Sequence, residues 1–152
     1  MRNLISLILI MILPQAGPAL AAAPPVPAPV LEVISPHNMQ DTLRKLREAI
    51  TARNFRIIRD GEVDAGLEAG LAPGSQVLEF CNFAQLHQGM ATDARIAAFL
   101  PCRVVVTERN GLVRLMAPNP LAVSVQFANP ALAPLCGSIH DSYVDIFDEV
   151  SL

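Results

Sequence analysis

Asn110 and Gly111 stand between two short segments, 103–108 (RVVVTE) and 112–116 (LVRLM), both rich in aliphatic residues. An Asn-Gly pair readily takes the positive backbone angles of a type I′ turn, whose twist matches that of two adjoining antiparallel strands. The pair therefore predicts a β-hairpin and commits this part of the chain to an antiparallel sheet.

The flanking sequence supplies further elements. Residues 30–34 (VLEVI), just ahead of Pro36, suit a first strand, because the residue before a proline is biased to extended geometry. From 40 to 53, Leu43, Leu46, Ala49 and Ile50 recur at helical spacing, with Arg44, Lys45 and Arg47 largely on the other side. Asn38 or Asp41 can cap this helix, and Asn54 suits a left-handed terminator. Strand character returns at 55–58 and is expected to break at Asp60-Gly61. A loop or short helical turn is expected at 66–74, then a strand at 76–80 ending at Cys81. Asn129-Pro130 opens a C-terminal helix with a cap residue followed by proline at the first helical position. Leu132, Leu135, Cys136, Ile139, Tyr143, Ile146 and Val150 form its apolar stripe. Pro134 and Gly137 weaken the opening turns, which delays the regular part. The order is strand, helix, antiparallel strands, helix. One curved antiparallel sheet with both helices on the same face, an α+β fold of β-α-β(4)-α type, buries these apolar faces most economically.

A chain of 152 residues with 52% hydrophobic content has material for one core. Residues 1–21 have the parts of a secretory signal: Arg2, an apolar run over 4–13, and small residues ending in Ala19-Leu20-Ala21. That run is broken by Pro14, well short of the roughly 20 residues a membrane-spanning helix needs. Cleavage after Ala21, a proline-rich spacer at 22–29 and one α+β domain at 30–152 are the expected organisation. The expected location is periplasmic or secreted, with no stable membrane anchor after cleavage. A formal net charge of −3 and 5% aromatic residues argue against nucleic acid as a partner, since that work needs clustered cations and stacking rings.

Several short motifs are similar, in order, to those of the domain of unknown function 302 family. They run from the helix ending in Asn54-Phe55, through Phe80-Cys81-Asn82-Phe83, Met90 and Leu100-Pro101-Cys102-Arg103, to the Asn110-Gly111 hairpin and Asn119-Pro120. The resemblance implies a β-α-β(4)-α fold of the TATA-binding-protein-like type and no established activity. Cysteine stands here at 81, where the family has glycine, and at 102, where it has leucine. Phe83 replaces a proline.

Those cysteines dominate the chemistry. Cys81 ends one strand and Cys102 opens the next main strand, so an antiparallel arrangement brings them to the same end of the sheet. In an oxidising compartment they are candidates for a disulfide, one that would close a loop of about 20 residues and contribute about 3 kcal/mol by chain entropy. With Cys136 the chain has three cysteines, so at least one is unpaired within a single chain. Cys81, His87 and Met90 also form a soft donor set with Cys102, and His37 and Met39 lie upstream. Thiolate and thioether select Cu(I), and imidazole suits copper in either state. Cys136 and His140, four apart on the last helix, are a secondary pair, with a buried helix cysteine as the simpler reading.

No CxxCH, CxxC, HExxH, GxSxG or Walker sequence occurs. Three functions remain open. The first is a periplasmic accessory or binding protein holding a soft ligand (copper, haem or a sulfur compound) near Cys81 and Cys102. The second is a disulfide-stabilised domain that meets a periplasmic protein partner through its exposed sheet face, without a ligand. The third is a thiol enzyme using Cys81 or Cys102.

Overall fold

The computed structural model describes residues 26–64 and 70–152. The expected signal segment, residues 22–25 of the spacer and part of the 66–74 loop lie outside the described residues. Five strands form one antiparallel sheet: β1 (Val30–Ser35), β2 (Arg56–Glu62), β3 (Gln76–Cys81), β4 (Cys102–Arg109) and β5 (Leu112–Pro118), in spatial order β1-β5-β4-β3-β2. Four α-helices accompany them: α1 (Met39–Ala52), α2 (Phe83–Thr92), α3 (Pro120–Phe127) and α4 (Ala133–Ser151). The α+β reading and the β-α-β(4)-α core hold.

Two residues set the register of the central hairpin. Asn110 and Gly111 have φ of 55° and 75°, and Arg109 pairs with Leu112 across the turn. From there the two-residue period of a strand divides β4 between two environments. Cys102, Val104 and Val106 are buried in the core against the helices, while Arg103, Thr107 and Arg109 belong to the opposite face. Helices α1 and α4 cover the same face, with Leu46, Ala49 and Ile50 joining Ile146 and Val150 in one cluster. Arg53, just past α1, clasps α4 by donating to the Glu149 carboxylate at 2.6 Å and to the Asp145 carbonyl at 3.1 Å.

Local capping decides the α1 boundaries. Asn38, not Asp41, is the cap: its side-chain oxygen accepts from Asp41 N at 2.9 Å, and Asn54 terminates the segment at φ 61°. The break expected at Asp60-Gly61 is absent, because β2 continues to Glu62 and absorbs its irregularity as a register shift between Ile57 and Arg59. Asp60 is held there by Arg47 of α1, at 2.5 Å. The end of the proline-rich spacer is pinned to the domain. Pro29 O accepts from Asn119 N at 2.9 Å, and Ala28 O accepts from Asn119 Nδ2 at 2.8 Å.

Two α-helices exceed the expected pair. Helix α3 follows Asn119-Pro120, the same cap-then-proline signature as Asn129-Pro130, and Asn119 Oδ1 accepts from Leu121 N at 3.0 Å. Asn129-Pro130 itself opens only a single 3₁₀ turn, with α4 beginning at Ala133. Helix α2 occupies a stretch to which the sequence reading assigns no element. It is ten residues long and buries only Gly89, and Asn82 Oδ1 accepts from Ala84 N and Gln85 N at 3.1 and 3.2 Å and starts it. No helix among the described residues is long and apolar enough to cross a membrane.

Candidate functional site

The register Phe80↔Cys102 puts the last residues of β3 beside the first of β4, at the end of the sheet where β5 finishes. Cys81, one residue further, is buried at that end. Two small cavities lie here on the helix side. The smaller one, about 10 Å³, is bordered by Cys81, Leu86, Gly89 and Leu135. The larger one, about 40 Å³, is bordered by Phe99, Val123, Cys136 and Tyr143. Ile96, Leu100, Cys102 and Ile139 form the shared wall between them. Outside both, an apolar groove of about 270 Å³ runs past Ile58, Cys81, Phe83 and Leu100. Cys81 borders the groove and the smaller cavity, Cys102 both cavities, and Cys136 the larger one. All three are free thiols.

Specific contacts hold this seam. A chain of edge-on rings runs from Phe55 through Phe80 to Tyr143, with centroids 5.3 and 5.7 Å apart. The Tyr143 hydroxyl accepts from Arg103 N at 2.9 Å and donates to Arg103 O at 3.2 Å, locking α4 to the start of β4. Gly89 lets α2 approach α4 closely, since a β-carbon there would lie 2.9 Å from Leu135 Cδ2. Asp93 fixes the wall that carries Ile96 and Phe99. It accepts from Arg95 N at 3.1 Å and from Arg95 Nη2 at 2.6 Å, which holds its carboxyl well below the usual range.

Burial sets the electrostatics of the thiols. It pushes Cys102 up to about 11, with the Tyr143 hydroxyl hydrogen bond pulling back and the nearby Cys81 adding to the rise. Burial also raises Cys81 and Cys136. Tyr143 is raised as well, first by burial and then by Cys102. Cys102 is thereby held protonated at neutral pH, the opposite of the depressed pKa that activates a nucleophilic cysteine.

The soft donor set is only partly assembled. Cys81 and Cys102 share a cavity, but His87 and Met90 lie on the outer side of α2, Met90 being 45% exposed. Neither lines the cavities. His37 and Met39 follow β1, and the β1–β5 register, Val30↔Pro118 to Ser35↔Val113, carries them to the opposite end of the sheet. A six-residue strand at about 3.3 Å per residue separates the two ends by about 20 Å. Cys136 lines the larger cavity, whereas His140 lies by Asp141, its Nδ1 3.3 Å from Oδ1. Among the described residues no group of three or more His, Cys, Asp or Glu side chains is arranged to hold a metal ion. Sequence reading missed Tyr143 as more than core. Its position in the stripe was visible, but the target of its hydroxyl, a backbone group 40 residues away, was not.

The architecture defines a class, an antiparallel five-stranded sheet with helices packed on one face and an apolar, thiol-lined seam at one sheet end. The family model for the domain of unknown function DUF302 matches residues 31–150, and the chain belongs to that family. A crystal structure of an uncharacterized conserved DUF302 protein from Bacillus stearothermophilus is similar in fold, with a TM-score of 0.71 and 23% identity over 80% of this chain and 97% of that one. Comparison with the curated proteins finds no match.

Proposed function

We propose that the protein is an exported, non-enzymatic binding module whose ligand is a small soft species held between Cys81 and Cys102, with Cu(I) as the representative chemistry. The observation that carries this reading is the sharing of one cavity by two free thiols from adjacent strand ends. Thiolates select soft ions, and two of them suffice for a low-coordinate one. The space shared by the two thiols, about 10 Å³, is that of a single ion, not of a haem macrocycle: site volumes for larger ligands start at about 300 Å³. The apolar N-terminal segment supports export. A second reading draws on the same adjacency. In an oxidising compartment Cys81 and Cys102 would bridge, and the domain would then serve as a stapled interaction module for a periplasmic protein.

The test is anaerobic Cu(I) titration of the reduced protein against a competing chelator. Cys81→Ala and Cys102→Ala should each weaken binding about a hundredfold or more, while Cys136→Ala leaves it unchanged. Binding must displace thiol protons, and the folded-state pKa values are raised. Affinity therefore increases with pH between 6 and 8, about tenfold per unit for each proton released. Absence of any melting shift or thiol protection at micromolar Cu(I) would overturn the soft-ligand reading. A count of one free thiol in protein isolated from its exporting host would favour the bridge.

A further inference from the structure

The sheet face turned away from the helices carries a second cleft, at the hairpin end, whose chemistry differs from that of the thiol seam. Its volume is about 400 Å³, and Thr107, Arg109, Leu112, Arg114 and Met116 line it beneath the backbone of residues 70–72. That volume is within the usual range of small-molecule sites, about 300–1,000 Å³.

The cleft is built, not merely open. Residues 70–75 form a strap over β4, fixed by a closed set of hydrogen bonds. The Ser75 hydroxyl, fully buried, donates to Ala72 O at 2.6 Å and lies 2.9 Å from the Thr107 hydroxyl. Ala72 N donates to Thr107 Oγ1 at 3.4 Å, and Val63 N to Ser75 O at 2.8 Å. One wall of the cleft is therefore held in place before any ligand arrives, which lowers the ordering cost of binding.

Charge and polarity identify the occupant. Arg114 is ion-paired with Glu32. Arg109 forms no ion pair among the described residues, and its one hydrogen bond there is a long one, 3.4 Å, to Gly70 O. A guanidinium has five N–H donors in a planar fork that matches a carboxylate. Among the described residues the cleft thus offers a single uncompensated cation, suited to one negative charge. Beside it lies an apolar track. Leu112 and Met116 alternate with Arg114 on the same face of β5, and Leu112 is 56% exposed.

We propose that this cleft binds a small organic monocarboxylate, its carboxylate forked on Arg109 and its alkyl or aryl body laid across Leu112 and Met116. The site is independent of the cysteines. It lies at the other end of the sheet and on the other face.

The probe is hexanoate, titrated into the purified protein and followed by NMR, with hexanol and inorganic phosphate as comparisons. Saturable shifts confined to Leu112, Met116, Arg109 and the 70–75 strap are expected. Hexanol and phosphate should each bind at least about tenfold more weakly, because each supplies only half of the recognition. Arg109→Gln, a surface change, should weaken hexanoate about tenfold or more without moving the melting temperature. Leu112→Glu, which sets a carboxylate in the cleft, should abolish binding. The proposal is overturned if hexanoate gives no saturable shifts at these residues or Arg109→Gln binds it unchanged. Equal binding of hexanol or of phosphate would overturn it as well, by removing the need for the charge or for the apolar body.

Discussion

The two ends of the sheet are built from the same strands and differ in almost every physical respect. At the thiol end, side chains on the helix face close around cavities that hold no more than a few atoms, and the polar groups there are raised thiols and a buried tyrosine. At the hairpin end, the other face of β4 and β5 presents arginines and exposed aliphatic side chains to solvent beneath a hydrogen-bonded strap. The difference teaches how a two-residue period can serve two chemistries. Along β4, Cys102, Val104 and Val106 supply the closed side, and Arg103, Thr107 and Arg109 the open one. The closed end should therefore be governed by packing and desolvation, and the open end by turn geometry and charge.

The largest effect expected from that contrast is at Phe80, which is 1% exposed and packs edge-on against two other rings. Phe80→Ala should cost about 3–5 kcal/mol in urea denaturation, whereas Leu112→Ala at the open end should stay within about 0.5 kcal/mol. Similar losses at the two sites would erase the distinction. Next comes Tyr143→Phe, which removes a hydroxyl that both accepts from and donates to the Arg103 backbone. A loss of about 1–3 kcal/mol is expected, the cost of leaving buried polar groups without a partner. It should also raise the Cys102 pKa further, because the hydroxyl hydrogen bond opposes the effect of burial. Slower reaction of Cys102 with a thiol reagent, measured against pH, checks this. A faster reaction would mean that the hydroxyl shields the thiol rather than favouring its ionised form.

The smallest effect belongs to the turn. Gly111 sits at φ 75°, and a β-carbon there meets nothing within 4 Å. The cost of Gly111→Ala is then purely conformational, about 1 kcal/mol. It should appear as a stability loss with no change in Cu(I) affinity, since the thiols are a strand length away. A coupled loss of Cu(I) binding would show that the two ends communicate.

Much of the fold was legible in the residues. Asn110-Gly111 specified its hairpin because the constraint is local to two residues, and the α4 stripe was readable because it spans many turns. Helix α2 was not legible, since it spans only ten residues, against nineteen in α4, and it packs through Gly89 alone behind one Asn82 cap. Helix α3 could have been found from Asn119-Pro120, which has the cap-and-proline form already recognised at Asn129-Pro130. At the site, strand order alone placed Cys81 and Cys102 at one sheet end. His87 and Met90 were grouped with them by proximity in sequence, but a helix turns successive residues to different sides, and α2 carries these two outward.

What the sequence determined by itself is therefore what short-range physics governs: the hairpin, the two long amphipathic helices, the α+β class, and the chemical character of the thiols as groups. Tertiary structure alone decided which groups meet. Cys136 joins the seam of Cys102 and parts from His140, Tyr143 reaches the backbone of a distant strand, and Arg109 faces a cleft under a strap that begins 39 residues earlier. Those outcomes depend on how faces of separate elements are packed against one another, and no window along the chain contains both partners.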